Sequence, residues 1–275
     1  MRPPIDMVLR SWADRVRLNR EQVDRFREVP DGSDFYAPMA ERFRDDPRRT
    51  GDAGLEILRS LVQPGETWLD IGAGGGRYAL PIALIAGDVI ALDASPGMLG
   101  VLRQAMDEHG IANVRSIEAR WPTSGAPTAD VALICNVGYD IEHIGPFVDA
   151  MEASARRLCV AMLRWRNPTW GIDQLWPAVH GEPRATLPNL RDFLALLLAR
   201  DRPYEVRLVA SRSQTFGGVD EAMGHGRTQT WVQPGGAKDQ KLRATIEERL
   251  IERNGRYAFS WEPNYTGIVT WTPAE

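Results

Sequence analysis

A short apolar run, Thr67-Trp68-Leu69-Asp70-Ile71, leads straight into Gly72-Ala73-Gly74-Gly75-Gly76-Arg77. This reads as a strand entering a tight turn that opens a helix. Without Cβ atoms, such a turn lets a ligand approach backbone that side chains would block. A dinucleotide fingerprint needs G-x-G-x-x-G, and Arg77 occupies the last of those positions. What stands here is G-x-G-x-G behind an acidic residue. Taken alone, the cluster also fits a purely structural turn. About twenty residues further on, Val89-Ile90-Ala91-Leu92-Asp93 closes a second strand on a carboxylate, which can accept both hydroxyls of a ribose. Asp93 could instead cap the helix that starts near Pro96, although Ser95 is the better-placed cap.

The surrounding pattern alternates strand and helix. Strands are expected at 67–71, 88–92, 114–117, 131–135 and 158–163, with helices over 77–86, 96–109 (Gly110 past its end) and 142–156. That alternation argues for a parallel sheet covered on both faces. Residues 120–129 are too rich in Pro and Gly for a helix, so the crossover there should be a loop. Upstream, helices are expected over 6–28, 36–44 and 50–61, the first punctuated by Pro30-Asp31-Gly32-Ser33. Downstream come a helix over 190–200, a strand over 204–210 and a final strand over 266–271. Between those strands lies an insert, around 217–264, with one helix expected over 239–253. It should pack as a small cap or a partner surface, since a long structureless loop is improbable in a compact domain. The division expected is an N-terminal helical lid (1–50) and one domain (51–275) carrying the insert.

The glycine turn and second strand together resemble the class I S-adenosylmethionine-dependent methyltransferases of small-molecule type. The first motif is Leu69-Asp70-Ile71-Gly72-Ala73-Gly74-Gly75-Gly76, the second Ala91-Leu92-Asp93-Ala94-Ser95-Pro96-Gly97-Met98-Leu99. The resemblance covers roughly 51–163. It implies a Rossmann-like three-layer α/β sandwich with a seven-stranded, mostly parallel sheet whose last strand is antiparallel, and S-adenosylmethionine as cofactor. It places Gly72, Ala73, Gly74 and Gly76 along the methionine part, with Asp70 holding the turn and the amino group. Asp93 then grips the ribose, while Ala94 and Met98 flank the adenine. For the adenine amino group, either Glu118 or the backbone at Arg120 and Trp121 serves, the backbone being preferred.

The fourth strand ends Cys135-Asn136-Val137-Gly138-Tyr139-Asp140, and in this fold strand ends open onto the ligand crevice. Asn136 to Asp140 should therefore line the methyl-transfer site. Asn136-Val137-Gly138-Tyr139 is similar to the Asn-x-Pro-Tyr loop of adenine-amino methyltransferases, but Gly138 replaces the proline. The sulfonium charge disappears as the methyl leaves, so a partly apolar, aromatic pocket is favourable, with Tyr139 offering its ring face. A hydroxyl acceptor would want a base, which an amine or thiolate does not. His143 and Asp140 are the nearest candidates, His143 being equally a packing residue. His180 and His225 could reach in from above. Trp12, Tyr36, Trp165, Trp170 and Trp176 read first as packing, and otherwise as a pocket for an aromatic or lipophilic acceptor. Arg48-Arg49 and Arg156-Arg157 read as solvated faces.

Composition narrows the options. Thirty-three Lys and Arg against 37 Asp and Glu give a net charge of -4, without the basic excess of a dedicated nucleic-acid binder. The apolar stretches are too short to span a bilayer, and the amino terminus lacks a secretory core, so a cytoplasmic protein is expected. Cys135 and Cys159 read as reduced core thiols, and the four His show no metal-ligand spacing, so no metal is expected. The function expected is methyl transfer to a small-molecule acceptor. Modification of nucleic acid or protein, and non-catalytic cofactor binding, are the alternatives. The insert either buries a homodimer surface or covers the pocket.

Overall fold

The structure, a computed structural model, describes residues 2–30, 34, 36–211 and 214–274. The expected punctuation at Asp31-Gly32-Ser33 lies outside the described residues. Seven strands form one sheet: β1 (Thr67–Ile71), β2 (Asp88–Asp93), β3 (Val114–Glu118), β4 (Ala129–Cys135), β5 (Ala155–Arg164), β6 (Tyr204–Ser211) and β9 (Asn264–Trp271), in the order β3-β2-β1-β4-β5-β9-β6. The first five run parallel, and β9 inserts antiparallel between β5 and β6. This is the Rossmann-like sandwich expected, its last strand antiparallel.

Alternate residues of the central strands feed two cores, which is why these runs read as nearly continuous apolar sequence. Leu69, Ile71, Leu92, Ile134 and Leu163 face α1 (Ile5–Phe26), α5 (Ile144–Ser154) and α7 (Leu190–Ala199). Trp68, Val89, Ala91, Leu133 and Val160 face α2 (Ala53–Leu61), α3 (Ala79–Ala83) and α4 (Pro96–His109). Helix α4 begins where expected because Ser95 Oγ accepts from Met98 N at 3.0 Å and Pro96 follows. It ends at Gly110, whose φ of 66° is left-handed. Between β3 and β4 the chain contains no helix, as the Pro and Gly content demanded.

Helix α3 is shorter than expected. Arg77 and Tyr78 still belong to the turn, and Tyr78 is the N-cap residue. Helix α1 packs into the first of these cores: Trp12 and Val16 are core residues, and Trp12 Nε1 donates to Ile141 O at 2.9 Å. The late insert holds more structure than one helix. It forms α8 (Val219–Thr230), α9 (Ala237–Arg249) and a hairpin of β7 (Ile251–Arg253) and β8 (Arg256–Ala258). These close a third core with a further unexpected helix, α6 (Leu175–His180): Leu175 and Val179 meet Phe216, Met223, Leu242 and Ile246. The cap is therefore built from two separate stretches, because two polar helices alone cannot bury enough apolar surface. Among the described residues, no helix is long and apolar enough to cross a membrane.

Candidate functional site

The parallel strands end together at Ile71, Asp93 and Cys135, and the glycine turn lies across those ends. Gly72 N and Ala73 N donate to Leu92 O at 2.7 and 3.1 Å, locking the turn onto the end of β2. Gly72, Gly74 and Gly76 have φ of 75°, 54° and 84°, a region that favours glycine. A Cβ on Gly72 would stand 2.5 Å from Val137 Cγ2, so the turn and the loop after β4 are in direct contact.

Asp93 organises this end of the sheet. Its Oδ2 accepts from Gly74 N and its Oδ1 from Ser95 N, both at 2.8 Å. Asp93 does not cap α4 itself but holds the residue that does. Two backbone donors leave lone pairs of the carboxylate free. Asp70 differs. It is 2% exposed, and Oδ1 has no hydrogen-bond partner. Burial first, and then the nearby Asp93 charge, push its pKa up to about 7, while the backbone N–H of Ala79 works in the opposite direction.

Other expected residues are placed as follows. Ala94 is exposed beside Asp93. Met98 is buried, with Cε against Gly74 and the side chain in a small cluster with Ala40 and Val101. Its sulfur end therefore serves the contact beneath the turn. Glu118 is exposed and paired in register with Asp93, and Ala119 N donates to Asp93 O at 3.0 Å. Arg120 is exposed, whereas the Trp121 ring is turned away onto α5, donating from Nε1 to Phe147 O at 3.2 Å.

Two expectations change. Tyr139 does not stand as a free ring in the crevice. It is 6% exposed, its Oη accepts from Arg164 N at 2.7 Å and donates to Asn136 Oδ1 at 3.2 Å, and burial pushes its pKa up to about 12. Tyr139 is a strut that ties the loop after β4 to the end of β5, and Asn136 adopts a left-handed φ of 57° there. His143 is exposed on the α1 side, in a shallow groove lined by Leu9, Arg10, Ala13, Glu142 and Ile144. No residue of the glycine turn lines that groove. Asp140 is exposed and lies near Tyr36.

The segment from Asp34 through the 3-10 helix Ala37–Phe43 also belongs to this end of the sheet, though little in its local sequence marks it. Asp34 Oδ2 accepts from Ser95 Oγ at 2.7 Å and from Gly97 N at 3.2 Å, fastening this segment to the start of α4. Tyr36, still 44% exposed, packs edge-on against Phe43, and partial desolvation together with the Asp140 and Asp93 charges pushes its pKa up to about 12. Ala37 would meet a Cβ on Gly97 at 2.7 Å, so the two segments touch only because Gly97 has none. No local pattern marks Asp34, since its partners are about sixty residues away.

From the cap, His225 lies against Phe216 with ring centroids 5.6 Å apart, its Nδ1 3.3 Å from Gln214 Nε2. Burial, then the Arg42 and Arg164 cations, lower its pKa to about 4, so it is neutral near pH 7. His180 is structural: it is sandwiched by Phe26 and Trp176, and its Nε2 is 2.9 Å from Thr230 O. Trp176 is fully buried, and Trp170 stacks under Arg166 at 3.8 Å. The arginine pairs are not all solvated faces. The Arg49 side chain is 11% exposed, between Asp45, Asp52 and the Tyr78 ring, and Arg157 reaches Glu66 Oε2 at 2.7 Å. Cys135 and Cys159 are free thiols whose pKa values burial raises.

Residues 69–160 match the family model described as a methyltransferase domain. A putative methyltransferase from Bacillus halodurans is 15% identical with a TM-score of 0.58, the superposition covering 82% of this chain and all of that one. Magnesium protoporphyrin IX methyltransferase from Synechocystis, solved with bound SAH, is 18% identical with a TM-score of 0.50, over 73% of this chain and 92% of its own. Ribosomal RNA small subunit methyltransferase G of Neisseria gonorrhoeae is 38% identical over 76 residues, 27% of this chain and 37% of that protein. The chain spans only about two fifths of the length of the curated relatives it matches. Residues 69–160 thus resemble a methyltransferase domain, and the fold is similar to that of Rossmann-like methyltransferases.

Proposed function

We propose that the protein is an S-adenosylmethionine-dependent methyltransferase acting on a small-molecule acceptor. The observation that carries this reading is the pairing of Asp93, which keeps free lone pairs beside the glycine turn, with Asp70, a buried carboxyl holding an orphaned oxygen. A nucleoside with a cationic amino-acid tail fits that pair. Asp93 would take the ribose hydroxyls, and Asp70 Oδ1 would take the ammonium. The turn Gly72 to Gly76 would run along the tail, with Ala94 beside the adenine and the backbone at Arg120 and Trp121 reading its edge.

The cofactor supplies an activated methyl group on a sulfonium. The chain's own contribution is to position the acceptor and exclude water. The loop from Asn136 to Asp140, held by Tyr139 and Arg164, forms one wall, and the Asp34 to Phe43 segment is the part of the N-terminal region that would close over the turn. Asp140 and the neutral His225 are the groups available to receive a proton from an acceptor. Holding a nucleophile in line with the methyl can lower the barrier by roughly 7–11 kcal/mol in favourable cases. The net charge of -4 supports a small acceptor over RNA, which a basic surface would attract.

The test is calorimetric titration of the purified, cofactor-free protein with S-adenosylmethionine and with S-adenosylhomocysteine. One-site saturable binding of both is expected, followed by S-adenosylhomocysteine release when an acceptor library is supplied. Absence of binding by folded protein would overturn the reading. Product formed only with RNA would move the acceptor to nucleic acid.

A further inference from the structure

Strand β6 is the outermost strand of the sheet: β9 pairs it on one side and no described strand lies on the other. Its ladder with β9 runs unbroken over eight residues, with no bulge. Edge strands expose a row of unpaired N–H and C=O groups, and proteins commonly blunt them with proline, charged side chains (lysine above all), a bulge or a covering element. β6 has no Pro or Lys, and Glu205 to Leu208 are all exposed. Val206 is 39% and Leu208 48% exposed, unusual for apolar residues at the centre of a strand. Glu205 and Arg207 stand on the same face, 4.0 Å apart, with side chains 78% and 54% exposed.

We propose that β6 pairs antiparallel with β6 of a second copy of this chain, about a two-fold axis through Val206, joining the two sheets into one. Across a two-fold perpendicular to a sheet, only side chains on the same face can meet, so the register changes in steps of two. Centred on Val206, Glu205 of each copy faces Arg207 of the other, Val206 faces Val206, and Tyr204 faces Leu208. Two ion pairs and an apolar row result from one isologous contact. Centring on Glu205 or on Arg207 sets like charges directly opposite. The strand at the other edge, β3, lacks this self-complementarity: centred on Ser116 it would oppose Val114 to Glu118 and Arg115 to Ile117. The charge pattern thus selects both the partner and the register.

Sedimentation velocity of the full chain at micromolar concentration tests the proposal. Wild type should sediment as a dimer. Arg207→Glu, which puts Glu opposite Glu205, should shift it to monomer, as should Glu205→Arg. The double exchange Glu205→Arg/Arg207→Glu should restore the dimer, because the pairs re-form with reversed sense. All positions are exposed, and circular dichroism checks that each variant folds. A monomeric wild type, a dimer indifferent to both single reversals, or a double exchange that stays monomeric would each overturn the proposal.

Discussion

Asp70 is buried with one oxygen unpartnered, and its raised pKa makes it a source of pH dependence. In the unfolded chain it loses its proton near its ordinary value, whereas in the fold it keeps it up to about 7. Between those values the native state binds more protons than the unfolded state, so this residue's contribution to stability falls as pH rises and levels off above 7. His225, whose folded pKa is lowered, acts with the opposite sign from about 4 up to its ordinary value, so a comparison of variants isolates Asp70. We expect Asp70→Asn to gain on wild type by about 2–4 kcal/mol between about pH 5 and about pH 8, measured by urea unfolding. A constant difference between the two would refute this account. If an ammonium docks on Asp70, binding near neutral pH drives its proton off. Titrations with S-adenosylhomocysteine in buffers of different ionisation enthalpy should show net proton release that Asp70→Asn abolishes. Asp93→Ala should weaken cofactor binding at least tenfold, since hydrogen bonds to a charged group contribute roughly 1.5–3 kcal/mol. A folded variant binding like wild type would remove the ribose role. Asp93 and the glycines were legible in sequence because spacing and residue type alone define them. The role of Tyr139 was not, because its partner is the backbone of Arg164 on another strand.

At the scale of elements, strands and helices with local signals were read closely. α4 carries its own cap, Pro and terminal Gly, and β1, β2, β4 and β5 carry apolar runs bounded by polar residues. α8 was invisible, since its sequence contains Gly224, Gly226 and two threonines, poor helix formers. Packing compensates: Gly226 lets Ile246 come within 3.0 Å of where a Cβ would stand. The same device seats α7 on the sheet, where a Cβ on Gly267 would lie 2.3 Å from Leu190 Cδ2. Gly267→Ala should therefore destabilise the protein by about 1–3 kcal/mol in denaturant unfolding, through overpacking between α7 and β9. Unchanged stability would mean that α7 shifts freely.

At the scale of the whole molecule, α1 joins the sheet to the cap. Its first half is core, while Phe26 at its end packs edge-on to Trp176 at 6.1 Å and lies 5.0 Å from His180. Lys238 Nζ donates to Phe26 O at 3.1 Å, and Gln233 N to Glu28 Oε2 at 3.0 Å. Phe26→Ala should uncouple the two units, so that far-ultraviolet circular dichroism and tryptophan fluorescence no longer melt together. Coincident transitions at the wild-type midpoint would show that the aromatic contact does not couple them. By itself the sequence determined the sheet, the glycine turn and its two carboxylates, because their signals repeat or cluster within a few residues. Only tertiary structure decided where α1 docks, which stretches combine into the cap, that Asp34 latches α4, that Tyr139 ties the loop after β4 to β5, and that His143 lies in a groove beside α1. Those outcomes depend on contacts between residues far apart in the chain, whose free energies no local pattern records.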